Sequence, residues 1–448
     1  MKTLRAIFHP KGGIHPASRK RATDAMPVES MPLSKVFFAS MVQHMGVPAR
    51  PVVKKGDAVM RGQVLGEAGG YVSAPVHAPT SGKVIAISER PTQAGLPAAC
   101  VEIEPDGEDC WDTALQPGPD WKTMEAKALT ERIVAAGIVG MGGAGFPTHV
   151  KLSPPAGKTI DTLIINGAEC EPYLTADQRL MVEAPQSVWT GAQIVRQILG
   201  ARQLVVAIED NKPDAIQAMS AIMKETDAKL VVLKTEYPQG AEKQLIYAVT
   251  GREVPSGGLP MAVGALVENV GTCAAIYDAI VVGHPLTERI LTVTGAMVRI
   301  PKNLRARIGT PLADLAAFCG GMVGQPGKIV CGGPMMGLAQ GSLEAAVTKT
   351  TSGVVFLPRQ AVQQFSSMPC ISCGRCVSAC PMRLMPNTLS EMIEAEDNKG
   401  AEGLDVMDCI ECGSCAYECP AHRPLVQHMR RAKAEIAKQR LEKEAAAK

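Results

Sequence analysis

The stretch GIVGMGGAGFPTHVKLSPPAGKTIDTLIINGAECEPYLTADQRLM, residues 137–181, decides how the centre of this 448-residue chain is read. Four of six consecutive residues are glycine (Gly140, Gly142, Gly143, Gly145), in a GxGxxG pattern. A dinucleotide-binding crossover needs that pattern after a strand and at the start of a long helix. Here the helical stretch Glu125–Ala136, with apolar Ala128, Leu129, Ile133 and Val134, comes first, and Phe146-Pro147 and Pro154-Pro155 interrupt the chain after the glycines. The standard crossover is excluded. The glycines still let backbone N–H groups converge on an anion, or let a planar ring lie against the chain, because no Cβ blocks the approach. A tight turn is the competing reading. The strand Thr162–Ile165 then ends in Asn166-Gly167-Ala168-Glu169-Cys170-Glu171-Pro172. Ligands of α/β sheets bind at the C-terminal ends of strands. Asn166 is thus a candidate to bond a carboxamide or ring edge, and Glu169 and Glu171 to orient ribose hydroxyls, against the plainer reading of two exposed loop glutamates.

Working outward, the strand-like run Leu204–Ile208 alternates with helical stretches Pro185–Leu199, Pro213–Thr226 and Ala241–Val249, an α/β signature. Residues 47–87 consist of short β-branched runs broken by Gly and Pro. Their layout, KKGDxVxxGxxLG followed by APxxGxV, is similar to biotinyl/lipoyl-type barrel-sandwich domains, but the turn Val72–His77 has no lysine to carry a cofactor. A docking or structural role is expected there, with His9, His15 and His77 as surface or turn residues. The segment Thr287–Met336 is β-rich and mixed, with a helix lead-in at Gly309–Pro311, and suggests a β-grasp.

Fourteen cysteines divide into six scattered ones and eight in CISCGRCVSACP (Cys370–Pro381) and CIECGSCAYECP (Cys409–Pro420). In such CxxCxxCxxxCP runs three thiolates wrap one [4Fe–4S] cluster and the fourth reaches the other. That rule assigns Cys370, Cys373, Cys376 and Cys419 to a first cluster and Cys409, Cys412, Cys415 and Cys380 to a second. Four-cysteine zinc sites, the alternative, more often pair two CxxC units across a longer loop. Asn387–Asp397 carries an apolar Leu389, Met392, Ile393 face, so helices are expected between the motifs. A formal net charge of +2, from 46 basic and 44 acidic residues, gives no global field for nucleic acid; no run of 18 consecutive apolar residues occurs, and neither a membrane span nor a secretory signal is expected. The last stretch, Arg430–Lys448, is basic and reads as a helix with Ile436 and Leu441 too sparse for an amphipathic face, in contact with solvent, lipid or a partner.

GMGGAGFPTHVKL and NGAECEPYLTADQRLM resemble the flavin- and NADH-binding loops of the flavoprotein subunit of respiratory complex I. Together with FHPKGGIHP (Phe8–Pro16), TVTGAMVRIPKN (Thr292–Asn303), GGPMMG (Gly332–Gly337) and the doubled cysteine motif, the chain resembles the RnfC proteins of the Rnf ion-translocating electron-transport complexes. A related quinone-reductase component shares the N-terminal layout but lacks the cysteine module. The resemblance implies FMN and NADH at Gly140, Gly142, Gly143, Gly145, Lys151, Asn166, Glu169, Glu171, Gly240, Glu242 and Asn269. It departs at Ala168-Glu169-Cys170-Glu171, where the relatives have Asp-Glu-Gly-Glu, and at Gln239-Gly240-Ala241-Glu242, which keeps one of two paired glutamates. In the implied roles Lys151 neutralises the FMN phosphate or the reduced flavin, Asn166 and Asn269 hold the ring or phosphate, and Glu169, Glu171 and Glu242 position NADH. Hydride donors give two electrons together whereas a cluster takes one, and flavin bridges that mismatch.

The expected architecture is an α/β multidomain chain: an N-terminal barrel-sandwich-like β unit at 1–115, an α/β flavin/NADH unit at 120–258, a β-grasp-like unit at 260–345, a ferredoxin-like two-cluster unit at 360–428 and a basic helical tail at 429–448. The expected function is that of a peripheral, NADH-oxidising subunit of an Na+- or H+-translocating complex, on the cytoplasmic face of the bacterial plasma membrane. Its partners would be the other membrane subunits and, through them, ferredoxin. A cluster-bearing relay without its own flavin site and a soluble iron–sulfur oxidoreductase subunit are the alternatives.

Overall fold

The computed structural model of the chain describes residues 2–155, 157–366 and 368–446, with side chains as far as 443 in the last helix. Its centre is a parallel five-stranded sheet in the order Lys2–Arg5, Lys229–Leu233, Gln203–Glu209, Thr162–Gly167, Ala265–Asn269. The inner strands are nearly continuous apolar runs, because helices cover both faces of a parallel sheet. On one face Leu163, Ile165, Leu204, Val206 and Ile208 pack against helices Ala126–Ala135, Pro185–Leu199 and Val270–Tyr277. On the other, Ile164, Val205, Ala207 and Val231 pack against Glu242–Thr250. A Cβ on Gly191 would lie 1.8 Å from the Cys273 carbonyl oxygen, so only glycine lets Pro185–Leu199 approach Val270–Tyr277 so closely.

The barrel-sandwich unit stacks a four-stranded sheet (Phe37–Ser40, Pro97–Pro105, Gly82–Pro91, Ala58–Val59) on a three-stranded one (Arg50–Pro51, Val64–Glu67, Val76–His77) around Phe37, Leu65, Val84 and Ile103. Its Ser73–His77 turn does not project into solvent: Ser73, Ala74, Val76 and His77 are at most 4% exposed. His77, expected as a surface or turn residue, instead ends the buried strand Val76–His77. It is enclosed where this unit meets the α/β unit, and burial drives its pKa down to about 3.

The third unit is a mixed six-stranded sheet in the order Leu338–Gln340, Lys328–Cys331, Gly353–Leu357, Glu288–Thr294, Lys302–Arg307, Val28–Ser30. Sheet membership divides the chain differently from the expected ranges. Lys2–Arg5 belongs to the central sheet and Val28–Ser30 to the third sheet, so 1–115 is not one unit. Ala265–Asn269 pairs with Thr162–Gly167, which carries the α/β unit past 258, and Gly353–Leu357 carries the third sheet past 345. The cause is long-range pairing between short strands, which local periodicity does not display.

The cysteine module is helical, with Pro386–Glu394 and Asn398–Gly403 between the motifs and Leu425–Ala446 after them. Leu389, Ile393, Met429, Ala432 and Ile436 share one core. The last helix is thus no free tail in its first half, because Val426, Met429, Ala432 and Ile436 recur at helical spacing and are buried. Among the described residues no helix is long and apolar enough to cross a membrane.

Candidate functional site

The two cysteine motifs repeat one backbone design. Positive φ occurs at Ser372 and Glu411, at Gly374 and Gly413, and at Arg383 and His422. Those kinks turn the loop around the sulfurs. The Ser372 N–H donates to Cys370 Sγ and the Glu411 N–H to Cys409 Sγ, each at 3.4 Å. One cavity is lined by Cys370, Cys373, Cys376 and Cys419, and the other by Cys380, Cys409, Cys412 and Cys415. The fourth cysteine of each motif therefore crosses to the other cavity, the grouping expected from the spacing. Among the described residues no three His, Cys, Asp or Glu side chains gather as a single-ion site would require. The thiols instead ring a void, and four sulfurs around a volume larger than one ion are the donor set of a [4Fe–4S] cluster. The environments differ. Cys373 and Ile371 are exposed at the first cavity, whereas Met382, Leu384, Leu389 and Met429 line the second.

The glycine loop lies between helix Ala126–Ala135 and the short helix Thr148–Lys151. Nothing lies within 4 Å of a Cβ built on Gly143, whereas a Cβ on Gly142 would come within 2.9 Å of the Asn269 side chain. The loop thus packs on the end of strand Ala265–Asn269 with Gly142 and leaves Gly143 open. Three groups hold it there. The Met141 N–H donates to Thr272 Oγ1 at 2.9 Å, Arg289 Nη2 donates to the Met141 carbonyl at 2.7 Å, and the Thr350 methyl group packs where a Gly145 Cβ would be.

Asn166 and Asn269 end neighbouring strands in register. Asn166 Nδ2 donates to the Gly240 carbonyl at 2.9 Å, and its Oδ1 accepts from the Ala168 N–H. Asn269 caps helix Val270–Tyr277 by accepting from the Gly271 and Thr272 N–H groups, and donates to Asp177 at 2.7 Å. Two of the three carboxylates expected to position NADH are engaged by backbone donors. Glu169 (φ +45) accepts from Asp177 N–H and Gln178 N–H, the first turn of helix Ala176–Glu183. Glu171 accepts from the Met335 and Met336 N–H groups of the GGPMMG turn at 3.1 and 2.8 Å, and burial raises its pKa to about 7. Burial beside Glu169 likewise raises Asp177 to about 6.

Lys151 lies 3.4 Å from Glu242 and 3.6 Å from Glu268. Burial works against its charge, but Glu268 and Glu242 outweigh it and hold the pKa above the ordinary range. Glu242 is 41% exposed, while Glu268 is 1% exposed with neither carboxylate oxygen hydrogen-bonded. Burial pushes the Glu268 pKa up. The structure therefore gathers the glycine loop, Lys151, Asn166, Gly240, Glu242 and Asn269 at one end of the parallel sheet. A cradle left open at Gly143, with a buried carboxylate that has only the shared Lys151 ammonium at 3.6 Å and no hydrogen bond, suits a ligand with a flat ring and polar hydrogens.

Four buried cations or carboxylates here carry no motif. Lys20 donates to the carbonyls of Glu169 and Glu171, each at 2.9 Å, and to that of Leu174, clamping a loop that also holds Tyr173 at φ +71; burial lowers its pKa. Arg289 is 5% exposed, and burial lowers its pKa to about 10. Lys349, fully buried, donates to the Pro75 and Gly137 carbonyls, each at 2.6 Å, and burial lowers its pKa to about 7. Glu268 is the fourth. Local sequence offers no signal for them, since each partner is remote in the chain.

Four families match successive parts of the chain: the RnfC barrel sandwich hybrid domain at residues 8–108, the Nuo51 FMN-binding domain at 133–278, the SLBB domain at 290–339 and the 4Fe-4S dicluster domain at 369–423. Similarity to whole proteins is extensive. The chain is 48% identical over 426 residues to the C subunit of the proton-translocating ferredoxin:NAD(+) oxidoreductase complex of Clostridium ljungdahlii, covering 95% of this chain and 93% of that protein. It is 46% identical over 431 residues to the Na(+)-translocating counterpart of Acetobacterium woodii, covering 96% and 97%. It is 43% identical over 453 residues to the C subunit of the ion-translocating oxidoreductase complex of Rhodobacter capsulatus, covering 99% and 87%.

Proposed function

Because this chain belongs to the RnfC family of ion-translocating ferredoxin:NAD+ oxidoreductase complexes, we propose that it is the NADH-oxidising, electron-distributing subunit of such a translocase. Its cofactors are FMN in the α/β unit and two [4Fe–4S] clusters in the helical module, and its partners are the other subunits of the complex. When bound, FMN supplies the conversion between a hydride's paired electrons and the single electrons that a cluster accepts.

The residues around that site divide the work. The open face at Gly143 receives the ring. Gly142 and Gly145 keep the backbone low against Asn269 and Thr350, and Gly140 lies against the Phe146 backbone. Lys151 with Glu242 and Glu268 makes a patch of two carboxylates to one ammonium, which disfavours a phosphate dianion and suits hydroxyl or ring N–H donors. Of the three glutamates implied for NADH, Glu242, 41% exposed and not engaged by backbone donors, is the one able to meet the nucleotide's hydroxyls. Glu169 and Glu171 instead hold the shape of the Asn166–Tyr173 loop, and Asn166 and Asn269 fix the strand ends that seat the cofactor.

One observation carries the order of electron flow: the Tyr237 hydroxyl donates at 2.7 Å to the carbonyl of Cys412, which lines the second cavity. The second cluster accordingly stands next to the flavin unit, and the first, with Cys373 exposed, faces outward to the partner. A peripheral place on the cytoplasmic face is supported by the cytoplasmic location of NADH and ferredoxin. The proton- and Na+-translocating relatives are almost equally similar, so the coupling ion is set outside the features this chain shares with them. Anaerobic NADH titration of the reconstituted full chain, followed by flavin absorbance and EPR, tests the reading. Flavin bleaching together with two cluster signals is the expected result; a chain that takes up no FMN, or whose flavin NADH leaves oxidised, refutes it.

A further inference from the structure

The short turn Glu236–Ala241 touches both cofactor regions. At one end Tyr237, the bulkiest fully buried side chain among the described residues, bonds the Cys412 carbonyl at 2.7 Å. Three residues on, Gly240 accepts from Asn166 Nδ2 at 2.9 Å, and its N–H donates to Cys170 Sγ at 3.4 Å. A Cβ on Gly240 would meet Cys170 Sγ and the Ala168 Cβ at 3.3 Å, so the turn lies flat on the Asn166–Glu171 loop. The other end is clasped from outside. Tyr237 pairs through its backbone with Ile14 (2.8 and 3.0 Å), and the Gly13 N–H donates to the Ala379 carbonyl at 3.0 Å. A Cβ on Gly12 (φ +79) would lie 2.5 Å from the Cys380 carbonyl. Ile14, Tyr237, Ala379 and Cys412 form one small core, with Cys170, Met335 and Ile410 against it. The FHPKGGIHP motif thus does its work here, closing on Cys380 and on the turn that holds Cys412.

We propose that Tyr237 is a positioning residue for electron transfer: it sets the second cluster at a fixed, dry separation from the flavin loop, and the Glu236–Ala241 turn is the bridge across that gap. The inference rests on the reading that FMN occupies the glycine-loop cradle. With both cofactors bound, the step it serves would be a one-electron transfer, in which the electron lost by the NADH-reduced flavin is the one gained by the second cluster. No bond to Tyr237 forms or breaks, and its phenol neither gains nor loses an electron or a proton. Two properties suit it to this task. Its hydroxyl is tied to a carbonyl at the cluster, and its ring fills space that water would otherwise enter, which holds the distance constant.

The test uses the full chain reconstituted with FMN, iron and sulfide, as wild type, Tyr237→Phe and Tyr237→Leu. Stopped-flow mixing with NADH follows flavin bleaching and cluster reduction separately, and freeze-quench EPR identifies the second cluster. The expected result is unchanged flavin bleaching with several-fold slower reduction of the second cluster in Tyr237→Phe, slower still in Tyr237→Leu, and an altered EPR line shape for that cluster alone. Cluster reduction at the wild-type rate in both variants overturns the inference, as does a parallel loss of bleaching and cluster reduction, which marks a merely structural residue. Should NADH fail to bleach the wild-type flavin, the proposed function falls, and photoreduced flavin starts the same comparison without NADH.

Discussion

The cysteine module and the loops at the end of the parallel sheet both hold cofactors, yet their residues disclose it in opposite ways. In the module the ligands are the motif: eight sulfurs at set spacing, with positive φ at the same places in both halves, gather four by four. At the sheet end the motif residues mostly bond one another and the backbone, so the motif specifies the shape of a cradle more than the atoms that touch the ligand. A substitution in the module should therefore remove one centre cleanly, whereas one at the sheet end should act through the cradle's shape.

The largest effect comes from breaking the module at its two unlike ends. Cys412→Ser should remove the second cluster, halve the iron content and stop electrons at the flavin, which NADH still bleaches. Cys373→Ser should halve the iron as well but leave the second cluster reducible. Iron analysis with EPR separates the two, and equal loss of second-cluster reduction in both would place the first cavity between the flavin and the second, the reverse of the proposed order.

That asymmetry also explains how much is legible in the sequence. Cysteine spacing is itself the chemistry, so the crossed grouping of the sulfurs can be read directly. The glycine loop, the strand Thr162–Gly167 and helix Pro185–Leu199 are legible because their periodicity is local. The strands Lys2–Arg5 and Val28–Ser30 are not, since each pairs with a strand more than 200 residues away, and short β segments carry no mark of their partner. Lys20 is invisible for the same reason, its carbonyl partners lying 149 to 154 residues along the chain. Ile436 looks isolated when the helix is counted from the basic run, whereas its apolar face begins at Val426.

At the sheet end the next largest effect belongs to Lys20. Lys20→Met leaves three enclosed carbonyls without their donor beside a loop that holds Glu169 and Tyr173 at positive φ. Unpaired buried acceptors cost about 1–3 kcal/mol each, so a loss of about 3 kcal/mol of stability is expected, with FMN retention falling while both clusters remain. Chemical unfolding and flavin content after gel filtration measure it. A variant that keeps wild-type flavin would show that the loop holds its shape without the clamp.

Lys349 gives the comparison a pH axis. Its folded pKa, lowered to about 7 from 10.5, means that the unfolded chain binds the extra proton between those values. Stability contributed at this position therefore rises with pH across that window and is flat above it. Lys349→Met lacks the slope, so the stability of wild type relative to the variant should increase from pH 7 towards pH 10, while the cluster EPR signals of the two stay alike. A constant difference across that range would mean that Lys349 is fully charged between Pro75 and Gly137.

The smallest expected effect is the one that most sharpens the contrast. Glu268 is buried at the end of strand Ala265–Asn269 with both oxygens unbonded, and Lys151 at 3.6 Å is shared with Glu242. A buried carboxylate with one shared ammonium and no hydrogen bond is only partly compensated, so its removal should help the chain that lacks cofactor and harm the chain that contains it. Glu268→Gln should stabilise the FMN-free protein by about 1 kcal/mol, since a neutral amide carries no charge-desolvation cost, and should weaken FMN binding a few-fold. No cysteine substitution should show such a sign change, because the thiols have no comparable cost to shed when their cluster is absent. Thermal unfolding with and without FMN measures both halves. A variant destabilised in both states would place Glu268 with the residues that shape the cradle rather than with those that meet the ligand.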